Sequence, residues 1–75
     1  MIDHVRRLLN AQPFVPFSIL ISNGSRYRVA TADHAGINPP GSRVVVWFDD
    51  GGSAILSGLH IVGIEEEASQ PASAA

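Results

Sequence analysis

The sequence predicts a mainly β, α+β domain with one short helix at its N-terminus. Alternating apolar residues flank an Asn-Gly pair between Phe17 and Ala30, which is the strongest short-range signal for a β-hairpin. A second run, Arg43 to Phe48, consists mostly of β-branched and aromatic residues. Turn residues separate several further short apolar runs, so we expect about five or six antiparallel strands.

Residues Ile2 to Asn10 are predicted to form a short amphipathic helix. Ile2, Val5, Leu8 and Leu9 recur at helical spacing, and charged residues occupy the opposite side. The prolines within Pro13 to Phe17 then favour an extended connector into the first strand. Because isolated helices shorter than about 12 residues are marginal in water, the apolar stripe of this helix should lie on the sheet.

The register of the first hairpin follows from the period of two along a strand. A two-residue loop of Asn23 and Gly24 would place Ile19 opposite Arg28, with isoleucines and arginines on one face. That face could not contribute to a core. The simplest Asn-Gly turn is therefore excluded.

A three-residue loop from Ser22 to Gly24, with Gly24 in the left-handed region, gives a consistent register instead. It pairs Ile19 with Tyr27 and Phe17 with Val29 and directs these side chains to the core. The charged residues of the second strand then face outward; they are Arg26 and Arg28. We predict this bulged register.

Three more strands are expected after the hairpin, with a short strand or strand extension leading into them. The expected elements are the extension at Ala35 to Asn38 and the strands at Arg43 to Phe48, Ser53 to Leu56 and Leu59 to Glu66. Corners rich in Pro, Gly and Asp separate them. The unbroken apolar character of RVVVWF indicates a strand covered on both faces at the centre of the fold. Its high β propensity also makes it a candidate interface strand, with Val45 and Trp47 as possible interface residues.

Length and composition suggest a single domain over residues 1–67 and a disordered tail over residues 68–75. The chain has no cysteine, so packing and self-association are the available means of stabilising a thin core. No apolar run reaches the roughly 18 residues of a membrane span, and no secretory signal is present, so we expect no membrane association and a cytoplasmic location. The net charge of −2 disfavours general nucleic-acid binding.

No catalytic, cofactor or metal motif stands out in the sequence. The histidines His4, His34 and His60 lie in three different elements without paired spacing. Asp49 and Asp50 are followed by two glycines, which a turn explains more simply than an acid–base pair. We therefore expect a protein that is not an enzyme and that uses no cofactor or metal.

One short helix, five or six short strands and a Gly-bearing first hairpin resemble the SH3-like small β-barrels, particularly the Sm-like branch. The local similarities are LISNGSRYRV in the hairpin and GLHIVGI at the turn into the last strand. The segment PFVPF, Pro13 to Phe17, is also similar to a motif of short uncharacterised bacterial proteins. The Sm-like resemblance implies a subunit that pairs strands with its neighbours in a ring and binds RNA through loops, with Arg26, Arg28 and His60 as possible contacts.

Two hypotheses about function follow. The first is a non-enzymatic small barrel that serves as a protein-interaction or self-assembly module, with a homo-oligomer as the expected state. The second is an Sm-like RNA-binding protein. Aromatic residues in alternating strands usually pack in the core, so we expect Tyr27 there. Trp47 and Phe48 are adjacent and alternate in direction, so we expect one of them inside and the other at least partly exposed. If Trp47 is exposed beside other apolar side chains, a binding surface is the better interpretation.

Overall fold

The computed structural model describes residues 1–67, so the predicted disordered tail lies outside the described residues. The helix α1 spans Ile2–Leu9, and six strands follow: β1 (Phe17–Ile21), β2 (Arg26–Val29), β3 (Ala35–Ile37), β4 (Arg43–Trp47), β5 (Ser53–Ser57) and β6 (Ile61–Glu66). Short 3-10 helices, Ala32–His34 and Gly58–His60, precede β3 and β6. The predicted α+β class is confirmed. None of the helices in residues 1–67 is long and apolar enough to cross a membrane.

The strands form two antiparallel sheets of three strands each, in the orders β2-β1-β6 and β3-β4-β5. Within residues 1–67 no strand pair joins the two sheets into a closed barrel. The pairing of β6 with β1 shifts where Leu20 lies opposite Gly63 and Ile21 opposite Ile61, which leaves Val62 as the extra residue of a bulge. Each sheet therefore has two edge strands.

The first hairpin has the predicted bulged register. Ile19 lies opposite Tyr27 and Phe17 opposite Val29. The Gly24 amide donates to the Ile21 carbonyl at 2.8 Å, which closes the turn. Gly24 has φ of +93°, in the left-handed region that glycine adopts without strain. The predicted inward direction of Phe17, Ile19 and Val29 is confirmed, because all three are fully buried.

One core fills the space between the two sheets and beneath α1. Its fully buried side chains come from every layer: Val5, Phe17, Ile19, Val29, Val44 and Val46. The helix contributes Ile2 and Val5 and also lies against β3, as its amphipathic pattern predicted. Within residues 1–67, the outer face of the β3-β4-β5 sheet is left exposed at Trp47 and Ile55.

The prediction that RVVVWF is covered on both faces is wrong. Val44 and Val46 point inward and are fully buried, whereas Trp47 keeps 47% of its surface exposed. Phe48 is 41% exposed, so the expectation that one of these two aromatic residues lies inside is wrong as well. β4 is the central strand of its own sheet only, because β1 is central in the other. No described residue covers its outer face as a second layer would, and β4 behaves as a one-sided antiparallel strand.

Candidate functional site

The outer face of the β3-β4-β5 sheet carries three apolar side chains, Val45, Trp47 and Ile55, which we call the apolar face. Val45 lies directly opposite Ile55 in the β4–β5 ladder. Trp47 is two residues further along β4 and therefore shares that face. Ile55 is 67% exposed and Val45 is half-buried. Both predicted interface residues thus lie in one exposed apolar cluster.

Ile55 belongs to this cluster but was missed from the sequence. It is the middle residue of β5, SAILS, and points outward while Leu56 points into the core. The alternation along five residues is too short to show which of two adjacent apolar residues is buried. The pairing with β4 shows which residue is buried. Val44, which is buried, lies opposite Leu56, and Val45 lies opposite Ile55 on the outer face.

The Trp47 ring lies across β3 at Gly36. A Cβ placed on Gly36 would be 3.2 Å from Trp47 Cη2 and 3.4 Å from Cζ3, closer than the ring accommodates without moving. Glycine at this position lets the indole lie close to the sheet. The ring thereby extends the apolar face from β4 across to β3.

The outer face of the other sheet is charged, and its charges are paired. Arg26 is bonded to Glu65 from β6, across β1. Arg28 donates to Glu67 twice, from Nε at 2.6 Å and from Nη2 at 3.0 Å. These hydrogen bonds lower the pKa of the Glu67 carboxyl and raise that of the Arg28 guanidinium. The positive charges of Arg26 and Arg28, which the predicted register directs outward, are therefore balanced by glutamates.

The three residues suggested as RNA contacts do not line one groove. Arg26 and Arg28 line a groove of about 430 Å³. His60 instead lines a groove of about 360 Å³ beside β5 and the first hairpin turn. Tyr27 contributes to both walls. The arginines and the histidine thus contribute to different concavities of the surface.

Aromatic stacking forms part of the wall between the two sheets. Tyr27 and Phe48 have ring centroids 6.2 Å apart and an angle of 4° between their planes. Tyr27 is half-buried and packs against the core, as predicted, and Phe48 remains exposed beside it. Both side chains help to line the groove that also contains Arg28. The stack holds β2 against the end of β4.

His34 connects two loops through a hydrogen-bonded chain that the sequence did not reveal. Its Nδ1 lies 2.8 Å from Thr31 Oγ1, and its Nε2 lies 2.8 Å from Asp49 Oδ1. Thr31 Oγ1 also accepts the Asp33 amide at the start of the 3-10 helix. Asp49 is 92% exposed, so the chain ties the β2–β3 connection to the β4–β5 turn at the surface.

No group of three or more His, Asp or Glu side chains within residues 1–67 is arranged to hold a metal ion. Within residues 1–67, the features that remain for a functional site are the apolar face, the edge of β5 beside it, the two grooves and a third groove of about 480 Å³ that Ile2 and Leu59 help to line. Of these, the apolar face gathers the residues predicted from the sequence. No protein-family model, curated protein or solved structure matches this chain.

Proposed function

We propose that this protein is a non-enzymatic self-assembly module that associates with copies of itself through the apolar face and the adjoining edge of β5. The observation that carries the proposal is the exposure of Ile55 and Trp47 on one sheet face, beside half-buried Val45. Contiguous exposed apolar side chains of this kind are typical of interaction surfaces. The sequence predicted a binding surface if Trp47 is exposed beside other apolar side chains, and this cluster has that arrangement.

A small barrel related to the SH3-like and Sm-like folds is the architecture that we propose for this module. Two features support it: the two sheets share one core, and a 3-10 helix at Gly58–His60 leads into the last strand. Such small domains bury little surface and gain stability by association. A shared fold does not determine which ligand a protein binds, so the exposed side chains must indicate the partner.

A second copy suits this surface better than RNA does. The side chains of the apolar face are uncharged, so the same face of a second copy offers matching apolar surface. The one charged residue on this side of β4, Arg43, lies at the end of the strand opposite Ser57. Arg26 and Arg28, the expected RNA contacts, are bonded to Glu65 and Glu67. A phosphate would have to compete with these carboxylates, which weakens the counterion release that drives nucleic-acid binding.

Sedimentation velocity over a range of concentrations tests the proposal with Ile55→Thr. Threonine keeps the β-branched shape but removes apolar surface from an exposed strand position. Burying a whole isoleucine contributes about 1.5–3 kcal/mol, so losing part of that contribution in each of two copies should weaken association about 30-fold. Wild-type protein is expected to exceed the 8.0 kDa mass of one chain as concentration rises.

Val62→Thr is the matched control, because Val62 is 61% exposed on β6 and lies outside the apolar face. It should associate like the wild type. If Ile55→Thr and Val62→Thr weaken association equally, the interface involves a contact between β5 and β6 instead. Wild-type protein that remains a monomer at all concentrations would refute self-assembly, and absorbance at 260 nm in the same runs would reveal bound nucleic acid.

A further inference from the structure

The four edge strands differ in how well they are protected against pairing with another chain. β2 carries Arg26 and Arg28, β6 has the bulge at Val62 and ends in glutamates, and β3 is three residues long and lies against α1. Charged side chains, a bulge, short length and a covering helix each disfavour pairing of an edge strand with another chain. β5, Ser53–Ser57, has five residues with no charge, no proline and no bulge.

The alternation of hydrogen-bonded residue pairs along the β4–β5 ladder shows which backbone groups of β5 are unpaired within residues 1–67. The Phe48 amide donates to the Gly52 carbonyl at 2.7 Å at one end of the β4–β5 ladder. At the other end, the Gly58 amide donates to the Ser42 carbonyl at 2.8 Å. Because bonded pairs alternate in an antiparallel ladder, the even-numbered residues of β5 bond to β4. The groups directed to the free edge belong to Ser53, Ile55 and Ser57.

We propose that two copies of this chain pair β5 with β5 about a two-fold axis through Ile55, an inference that rests on the proposed self-assembly. This register places Ile55 opposite Ile55 of the second copy and Ser53 opposite Ser57. It uses all five residues of the strand, whereas a shift by two residues along the partner strand leaves bonding groups at both ends without a partner. The strand is thus its own complement.

The side chains fit this register on both faces of the joined sheet. On the inner face Ala54 lies opposite Leu56 of the second copy, so a small residue meets a large one. On the outer face the two Ile55 side chains meet across the seam, and Val45 of each copy, already the neighbour of Ile55, continues the apolar row. The pairing does not cover Trp47, which lies opposite Ser53. The product is a six-stranded sheet in the order β3-β4-β5-β5-β4-β3.

The size of the contact sets the affinity of the pairing. The edge of β5 borders a groove of about 360 Å³, which Ile55 and Ser57 line together with Asn23 and Tyr27 of the first hairpin. Two five-residue strands bury less than the roughly 1,200 Å² of a standard stable interface. We therefore expect a reversible dimer that forms at micromolar or higher concentration rather than a permanent one.

Disulfide trapping tests the register, because the natural chain has no cysteine. In the proposed pair the Cα atoms of residue 55 are about 5.5 Å apart, within the range that a disulfide spans. Ile55→Cys should therefore form a covalent dimer under mild oxidation. Ser53→Cys is the control, because residue 53 faces residue 57 and its own copies are about 13 Å apart. When the two variants are compared at concentrations that give equal association in sedimentation, the covalent dimer of Ile55→Cys should form at least about 10-fold faster than that of Ser53→Cys.

A spectroscopic measurement asks the same question without a substitution. Filtered NOE spectra of mixed labelled and unlabelled wild-type protein should show contacts from Ile55 to Ile55 of the second copy. Contacts from Ile55 to Val62, or equal cross-linking of the two cysteine variants, would overturn the register while leaving self-assembly intact. A wild-type protein that stays monomeric in sedimentation would instead overturn self-assembly itself.

Discussion

Replacing Gly24 by alanine tests the bulged hairpin on which the register of the first sheet depends. Gly24 has φ of +93°, and a Cβ built there has no atom within 4 Å. The cost is therefore one of backbone conformation and not of packing. An L-residue in this region loses about 1–2 kcal/mol, and the less flexible unfolded chain returns about 0.4–1 kcal/mol. We expect a net destabilisation of about 1 kcal/mol.

That loss is large for so small a domain. At about 0.05–0.15 kcal/mol per residue, the whole fold is expected to be stable by about 4–11 kcal/mol. Urea unfolding followed by the fluorescence of Trp47, the single tryptophan, measures the change directly. The melting temperature should fall by about 4–8 °C at matched protein concentration, which excludes an effect of association.

The mirror-image substitution provides the control. D-Alanine at position 24, introduced by chemical synthesis, prefers positive φ and still restricts the unfolded chain. It should stabilise the protein by about 0.4–1 kcal/mol, opposite in sign to L-alanine. If L-alanine is tolerated without loss, or if D-alanine destabilises the fold, the reasoning about Gly24 is refuted.

Three further substitutions probe other parts of the structure. Gly58→Ala places a Cβ 2.8 Å from a side chain in the first turn of α1, so thermal unfolding should show a loss of about 1–3 kcal/mol, and an unchanged midpoint would contradict the packing. Glu67→Gln removes a carboxyl whose pKa is lowered by Arg28; its stabilisation is present above the unfolded pKa and is lost as pH falls through the lower folded pKa. The difference in urea midpoint between wild type and Glu67→Gln should therefore shrink on acidification below the ordinary pKa of 4.5, and a constant difference would contradict the pairing. Gly36→Ala should lift Trp47 from the sheet and shift its emission to the red, whereas identical emission would show that the indole does not lie on β3.

The hairpin could be predicted in detail because local parity determines it. Phe17, Ile19, Tyr27 and Val29 can share one face in only one of the two short-loop registers, and Gly24 supplies the backbone conformation which that register needs. The helix was equally accessible, since Ile2 and Val5 lie on one side at helical spacing. Both predictions rest on contacts between residues near in sequence.

The sequence could not show which face of β4 is covered. Val44, Val45, Val46 and Trp47 form an unbroken apolar run, and such a run fits a strand buried on both faces or one with an exposed apolar side. The difference depends on whether another layer covers the outer face. In residues 1–67 the core lies against Val44 and Val46 only. The side of β4 that was wrongly expected to be covered is the side that carries the apolar face.

Contacts between side chains that are distant in the sequence could not be predicted either. Arg28 and Glu67 are 39 positions apart, and His34 and Asp49 are 15 apart. Each pair meets only because strands that are distant in the chain bring it together. The hairpin register directed Arg26 and Arg28 outward, and the structure shows that acidic partners balance their charges. The part of the site that needed tertiary contacts was the part that sequence patterns missed.

Amide hydrogen exchange at low and high protein concentration tests the β5 pairing most directly. The Ala54 amide bonds to β4 within one copy and should be protected at both concentrations. The Ile55 amide should exchange rapidly in dilute protein and become protected as concentration rises, while that of Arg28, directed to the free edge of β2, stays unprotected. Exchange at Ile55 that does not depend on concentration would contradict the account.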